Sequence, residues 1–203
     1  MSDPDSHLRE ECLESEQVYL GHFLDVRRDL VRLPNGNSAS REYIVHPGAV
    51  MIVPMLDDGR LVVERQYRYP VARVMIEFPA GKLELGEAPL TCAIRELAEE
   101  TGYRATEWAR AGVTHNAIAY STEGIEIWFA RGLTAGAVHL DEGEFLDVDT
   151  ASLEELEESI RLGTLTDMKT MVGLLWLRQW REDRWGLTWI SLDATAPEAA
   201  PLP

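Results

Sequence analysis

GKLELGEAPLTCAIRELAEETGY, residues 81–103, is the stretch on which the fold turns. Pro89 suits a first helical turn, where its missing N–H is not needed. Gly102 suits the position just past a helix end. Between them Leu90, Ile94, Leu97 and Thr101 recur at helical spacing and form a stripe expected to be buried. Glu96, Glu99 and Glu100 lie three and four residues apart and project from roughly one face. Like charges so placed repel, and helix propensity does not ask for them. A hard divalent cation turns that repulsion into binding, because it takes oxygen ligands. Arg95, four residues before Glu99, is placed to hold that carboxylate by an ion pair. A merely solvated acidic helix face would leave Gly81, Glu87 and Gly102 without a reason to stand where they do.

Outward from this helix, the 203 residues suffice for one domain with a real core and a small appended piece. The 45% hydrophobic fraction is that of a globular protein. No apolar run approaches the ~20 residues that span a bilayer, so no membrane partner is expected. The start, MSDPDSHLREE, is charged and lacks the apolar region of a secretory signal. Two cysteines, Cys12 and Cys92, have no metal-type spacing and read as reduced thiols of a cytoplasmic protein. The net charge of −16 argues against binding nucleic acid or anionic membrane. It also means that a bound anion would need local arginines and a cation to reverse the sign in its cleft.

Residues 1–15 read as polar and loose. QVYLGHF, LDVRRDLVRL and SASREYIVH read as strands, with Asn35-Gly36 marking a hairpin turn. AVMIVPML and RLVVERQYRYP flank Asp57-Asp58-Gly59 and read as a second hairpin. RATEWARAGVTHNAIAY and EGIEIWFARGL read as strands, and AVHLDEGEFLDV as a loop returning to one. Ser152, with Glu155 three residues on, opens a helix with a capping box; KTMVGLLWLRQW is a further helix, capped by Asp167. The Pro- and Ala-rich tail from Asp183 is expected to end in disorder. Strands, a helix after the glycine, more strands and closing helices make an α+β or α/β/α arrangement. His7, His22, His46, His115 and His139 are scattered and are not expected to be ligands. Trp108, Trp128, Trp176 and Trp180 are expected to pack in the core or at an interface.

The spacing of residues 81–103 resembles the Nudix box, G-x5-E-x7-R-E-U-x-E-E-x-G-U, with U a bulky apolar residue. Every defined position matches, Tyr103 filling the last. Seven positions demand one residue type, so a chance match at one start point is on the order of 10⁻⁹. VVERQYRYP, IEFPAGKLELGE, STEGIEIWFA, GTLTDMKT and REYIVHPGAV extend the likeness to the bacterial ADP-ribose pyrophosphatase branch over roughly residues 17–175. The resemblance implies a Nudix fold, a mixed sheet between helices with an N-terminal antiparallel β extension. It divides the chain into a tail and β extension over 1–45, a catalytic domain over 46–182, and a C-terminal tail over 183–203. It further implies a homodimer whose N-terminal strands pair with or swap into the second subunit. The cofactor expected is Mg2+, with Mn2+ as the alternative. The reaction is hydrolysis of ADP-ribose to AMP and ribose 5-phosphate.

Residue by residue, the resemblance gives Glu96, Glu99, Glu100 and the Ala80 carbonyl the role of metal ligands, with Glu99 also a bridging group. Arg95 orients the glutamates, and Gly81, Glu87 and Gly102 support the box. Glu142 and Glu144, in DEGEF, share the position of the catalytic glutamate, and either one fits. Arg41 and Arg68 match positions that hold the diphosphate or terminal ribose; Glu77 matches a ribose contact. Phe23, Tyr67 and Tyr69 are the candidates for an adenine clamp. One departure stands out: the proline such enzymes often carry about sixteen residues beyond the box is Ala119 here. A loop without that fixed φ can take another path. The alternative substrate is therefore another nucleoside diphosphate sugar or a dinucleotide. A ligand-binding sensor without turnover is disfavoured, because all four box glutamates are present.

Overall fold

The computed structural model of the chain describes residues 3–140 and 142–192. These fall into two compact units, one drawn from 3–47 and 115–123, the other from 48–114, 124–140 and 142–192. The expected disorder at the chain's end lies outside the described residues.

The first unit is an antiparallel sheet of β1 (Glu11–Leu20), β2 (Asp25–Arg32) and β3 (Ser38–Val45). The hairpin predicted at Asn35-Gly36 forms, with Gly36 at φ 85° and its N–H on the Leu33 carbonyl. β1 begins at Glu11, inside the segment read as loose, because register pairing from Glu11↔Arg32 to Leu20↔Asp25 satisfies its backbone. The segment read as the end of a strand, Asn116 to Tyr120, is instead turned. Tyr120 and Ser121 both donate N–H groups to the Ala117 carbonyl, and Ile44 bridges Ser121 in parallel. Ala119 sits inside that turn.

The second unit holds a mixed five-stranded sheet in the order β11-β8-β9-β4-β7. Its members are β4 (Ala49–Pro54), β7 (Ala80–Lys82), β8 (Tyr103–His115), β9 (Gly124–Ala135) and β11 (Trp189–Ser191). β4 runs parallel to β9 and antiparallel to β7. β5 (Leu61–Arg68), β6 (Arg73–Glu77) and β10 (Leu146–Ala151) make an antiparallel sheet with β5 in the middle. The predicted Asp57-Gly59 turn forms, but the strands it joins part company after the single Met55↔Leu61 bridge. Each then enters a different sheet, because both edges of β4 are taken, by β9 on one side and β7 on the other. All six residues of β4 are buried, as a central strand covered on both sides must be. Its odd residues Met51 and Val53 face one core with Leu61, Phe78, Phe129, Leu174 and Leu177. Its even residues Val50 and Ile52 face the other with Cys92, Leu97, Trp108 and Trp128.

Helix α1 (Pro89–Thr101) thus covers one face. α2 (Leu153–Arg161) and α3 (Met168–Arg181) cover the other, which is the α/β/α arrangement expected. Ser152 and Glu155 form the reciprocal capping box, and Asp167 caps α3 through the Thr170 N–H. β11, within the segment read as tail, adds an edge strand on β8 through Trp189↔Ala109. Trp176, Trp180 and Trp189 pack against the larger core, where the tryptophans were expected. Both cysteines are free. Among the described residues no helix is long and apolar enough to cross a membrane.

Candidate functional site

The site is built where α1 meets β7 and the second sheet. Gly102 ends α1 in the left-handed conformation, at φ 72°, with its N–H on the Ala98 carbonyl. Gly81, in β7, passes directly under Glu96: a Cβ there would fall 1.8 Å from Glu96 Oε1. Only a glycine lets the strand and that carboxylate share the space. One turn on, Glu100 is 5% exposed and its Oε2 accepts the Ala80 N–H at 3.0 Å.

Arg95 does more than hold Glu99. Its Nε and Nη2 bind both oxygens of Glu87 at 3.0 Å, and its Nη1 reaches Glu96 at 2.8 Å and Glu99 at 3.1 Å. Glu87 in turn takes the Glu84 N–H at 3.0 Å. One planar fork therefore ties the loop before α1 to two carboxylates of its last turns. Arg95 holds the Glu87 carboxyl below the usual range.

The second wall is β5 and β6. Successive strand residues alternate faces, so Glu64, Gln66 and Arg68 point one way while Leu61 and Val63 enter the core. Arg68 grips both oxygens of Glu77, at 2.8 and 3.0 Å, and Lys169 of α3 bonds the same carboxylate. Burial pushes Glu77 upward, but the two cations outweigh it and leave its pKa lowered. Gln66 donates to Glu144 Oε1 at 3.3 Å. Glu142, two residues before, is exposed.

The carboxylates outnumber the cations. Burial, then the charge of Glu64 and then those of Glu96 and Glu144, push Glu100 strongly up. Burial, then Glu144 and Glu77, do the same to Glu64. Burial also raises Glu96, against the pull of Arg95. Glu64 Oε1 is buried without a hydrogen-bond partner. Clustered, partly desolvated oxygen donors lacking compensating charge fit a hard divalent cation. Among the described residues no three acidic, imidazole or thiol groups stand together at ligation distance. Arg95 draws Glu96 and Glu99 to itself, and the Ala80 N–H holds Glu100.

Of the residues singled out from the sequence, Ala80, Gly81, Glu87, Arg95, Glu96, Glu99, Glu100 and Gly102 gather around α1. Glu144, Arg68 and Glu77 lie on the facing sheet and its loop, with both Glu77 oxygens already taken. Tyr67 and Tyr69 are exposed. Arg41 and Phe23 belong to the first unit, Arg41 paired with Glu10 and Phe23 edge-on to His46 at 5.9 Å. Sequence reasoning passed over Glu64, Gln66 and Lys169. The alternation of VVERQYR, which puts Glu64 and Gln66 on one face with Arg68, is the signal that could have found the first two.

The NUDIX domain profile matches residues 45–171, and that of the nucleoside diphosphate sugar hydrolase N-terminal domain matches residues 10–44. The chain is 36% identical over 173 residues to a methanol dehydrogenase activator of Bacillus methanolicus, across 83% of this chain and 92% of that protein. It is 34% identical over 173 residues to an ADP-ribose pyrophosphatase of Bacillus subtilis, across 84% and 94%. With an ADP-ribose pyrophosphatase of Mycobacterium tuberculosis it shares 40% identity over 124 residues, 61% of this chain and 60% of that one. A crystal structure of an ADP compounds hydrolase superposes with a TM-score of 0.77 at 24% identity, covering 87% and 96% of the two chains, a likeness of fold. With the box geometry intact and these matches over most of its length, the chain belongs to the Nudix family of hydrolases.

Proposed function

We propose that this Nudix hydrolase cleaves the diphosphate of ADP-ribose, with Mg2+, to AMP and ribose 5-phosphate. The observation that carries the reading is the cluster of carboxylates, Glu100 and Glu64 buried and Glu96 and Glu144 half-buried, with too little positive charge to balance them. The relatives named ADP-ribose pyrophosphatase support the choice of substrate.

In this reading Glu96, Glu99, Glu100 and the Ala80 carbonyl hold the cation, with Mn2+ able to replace Mg2+. When bound, the cation neutralises the diphosphate and lowers the pKa of a water it holds. Arg95 fixes the rotamers of Glu96 and Glu99 so that both face the same space. Water attacks one phosphorus, the bridging P–O bond breaks, and one proton leaves the attacking water. Glu144, turned inward by Gln66, is the base for that proton, in preference to exposed Glu142. Arg68 holds Glu77 and is assigned to the incoming diphosphate or ribose through its remaining N–H groups. Arg41 and Phe23 are assigned to the terminal ribose or adenine of a site completed in a homodimer. Its place of work is taken to be the cytoplasm, in keeping with two free thiols.

The test is phosphate release after coupled phosphatase treatment, across ADP-ribose, NADH, GDP-mannose, ADP-glucose, diadenosine polyphosphates and dNTPs. ADP-ribose is expected to lead, with activity abolished by EDTA and by Glu100→Gln. Glu144→Gln should remove most of the rate and Glu142→Gln little of it. Preference for a dinucleotide or another sugar would move the substrate, and the Ala119 turn is the feature that favours that second reading. Tight binding of every ligand without turnover would replace the enzyme by a sensor.

A further inference from the structure

Glu64 has no part in the box, yet burial and neighbouring carboxylates leave it poorly compensated. It sits on β5, the middle strand of its sheet, opposite Glu77 on one side and Val148 on the other. It is 3% exposed, and its Oε1 is buried with no hydrogen-bond partner among the described residues. The two nearby cations, Arg68 and Lys169, are both engaged by Glu77. Packing alone would favour an apolar side chain here, as Val62 and Val63 just before it show. A buried carboxylate without a partner is retained at a cost, and such groups are paired or coordinate metals. Its charge is the strongest of those acting on Glu100, and Gln66, two residues along the same strand face, reaches Glu144 at 3.3 Å.

We propose that Glu64 is an additional carboxylate of the divalent-cation site, donating an oxygen from the sheet side opposite the helix ligands. The proposal rests on the metal-dependent reading above. With Glu96 and Glu100 on α1 and Glu64 on β5, the site has donors for a second cation, or for firmer capture of a single one, while Glu144 stays free to act as the base.

Mn2+ titration of the full chain without substrate, following free Mn2+ by electron paramagnetic resonance, tests this. Glu64→Gln is expected to lose one Mn2+ equivalent or bind it at least tenfold more weakly, with its melting in EDTA unchanged or raised. Glu107→Gln, whose carboxylate pairs with Arg131, should titrate like the wild type. Wild-type stoichiometry and affinity in Glu64→Gln would overturn the assignment. Should Glu64→Gln fail to fold, Glu64→Val, apolar like its strand neighbours, is judged by the same criterion. Glu100→Gln separates the two readings. If it loses Mn2+ while Glu64→Gln does not, only the role of Glu64 falls. If neither loses it, the metal-dependent reading falls with it.

Discussion

Gly81 shows how much a single missing Cβ decides. Glu96 Oε1 occupies the place a Cβ would take, 1.8 Å away, so Gly81→Ala must push the carboxylate or β7 aside. A shift of about 1 Å at a reacting centre can lower a rate on the order of 10²-fold. Gly81→Ala should therefore lose activity to that extent, measured as kcat at saturating Mg2+, while circular dichroism shows the fold kept. Arg95 works at the same scale but through geometry of charge. Its fork meets Glu87, Glu96 and Glu99 together, which an ammonium cannot reproduce. Arg95→Lys should weaken Mn2+ binding about 10–100-fold, the usual penalty for disturbing the groups that orient ligands; a titration with unchanged affinity would show that Arg95 does not orient them. The spacing of these residues, and Arg95's reach to Glu99, were legible in the sequence. The closeness of Gly81 to Glu96 was not, because it depends on how β7 crosses α1.

At the scale of elements, Glu77 clasps three of them: it stands on β6, takes Arg68 from β5 and Lys169 from α3. Its lowered pKa sets the sign of the pH effect. The native state holds this carboxylate ionised where the unfolded chain, near 4.5, begins to take up a proton. The stabilisation is therefore present above about pH 4.5 and is lost as pH falls through the lower folded value. Glu77→Gln should cost on the order of 3 kcal/mol near pH 7, since Arg68 loses its ion pair and Lys169 keeps only Asp167. The gap in Tm between wild type and variant should narrow steadily on acidification below pH 4.5; a gap independent of pH would refute the clasp. α1 was readable as an element because Pro89, Gly102 and the apolar stripe all agree. The β4–β5 hairpin was misread because alternation and a good turn describe two strands and a bend, but not which sheet each strand joins.

For the whole molecule, the outer strand β1 leaves Tyr19 56% and Leu20 69% exposed, on an edge with unpaired backbone groups. A homodimer that covers this strand should run at twice the 22.9 kDa chain mass in light scattering, and Leu20→Asp should shift it toward the monomer. A wild-type monomer at micromolar concentration would remove the dimer from the proposal. The sequence by itself determined the family, the α/β/α class, the N-terminal hairpin, the helix caps and the carboxylates of α1. These follow from local spacing, where the period of a helix or strand maps residue number directly onto direction. Only the tertiary structure decided that Glu144 meets Gln66 while Glu142 is exposed, and that Arg68 and Lys169 are engaged by Glu77. It alone buried Glu64 with its Oε1 unpartnered. Those facts join residues dozens of positions apart, and nothing in their own neighbourhoods states which wall of the pocket each will face.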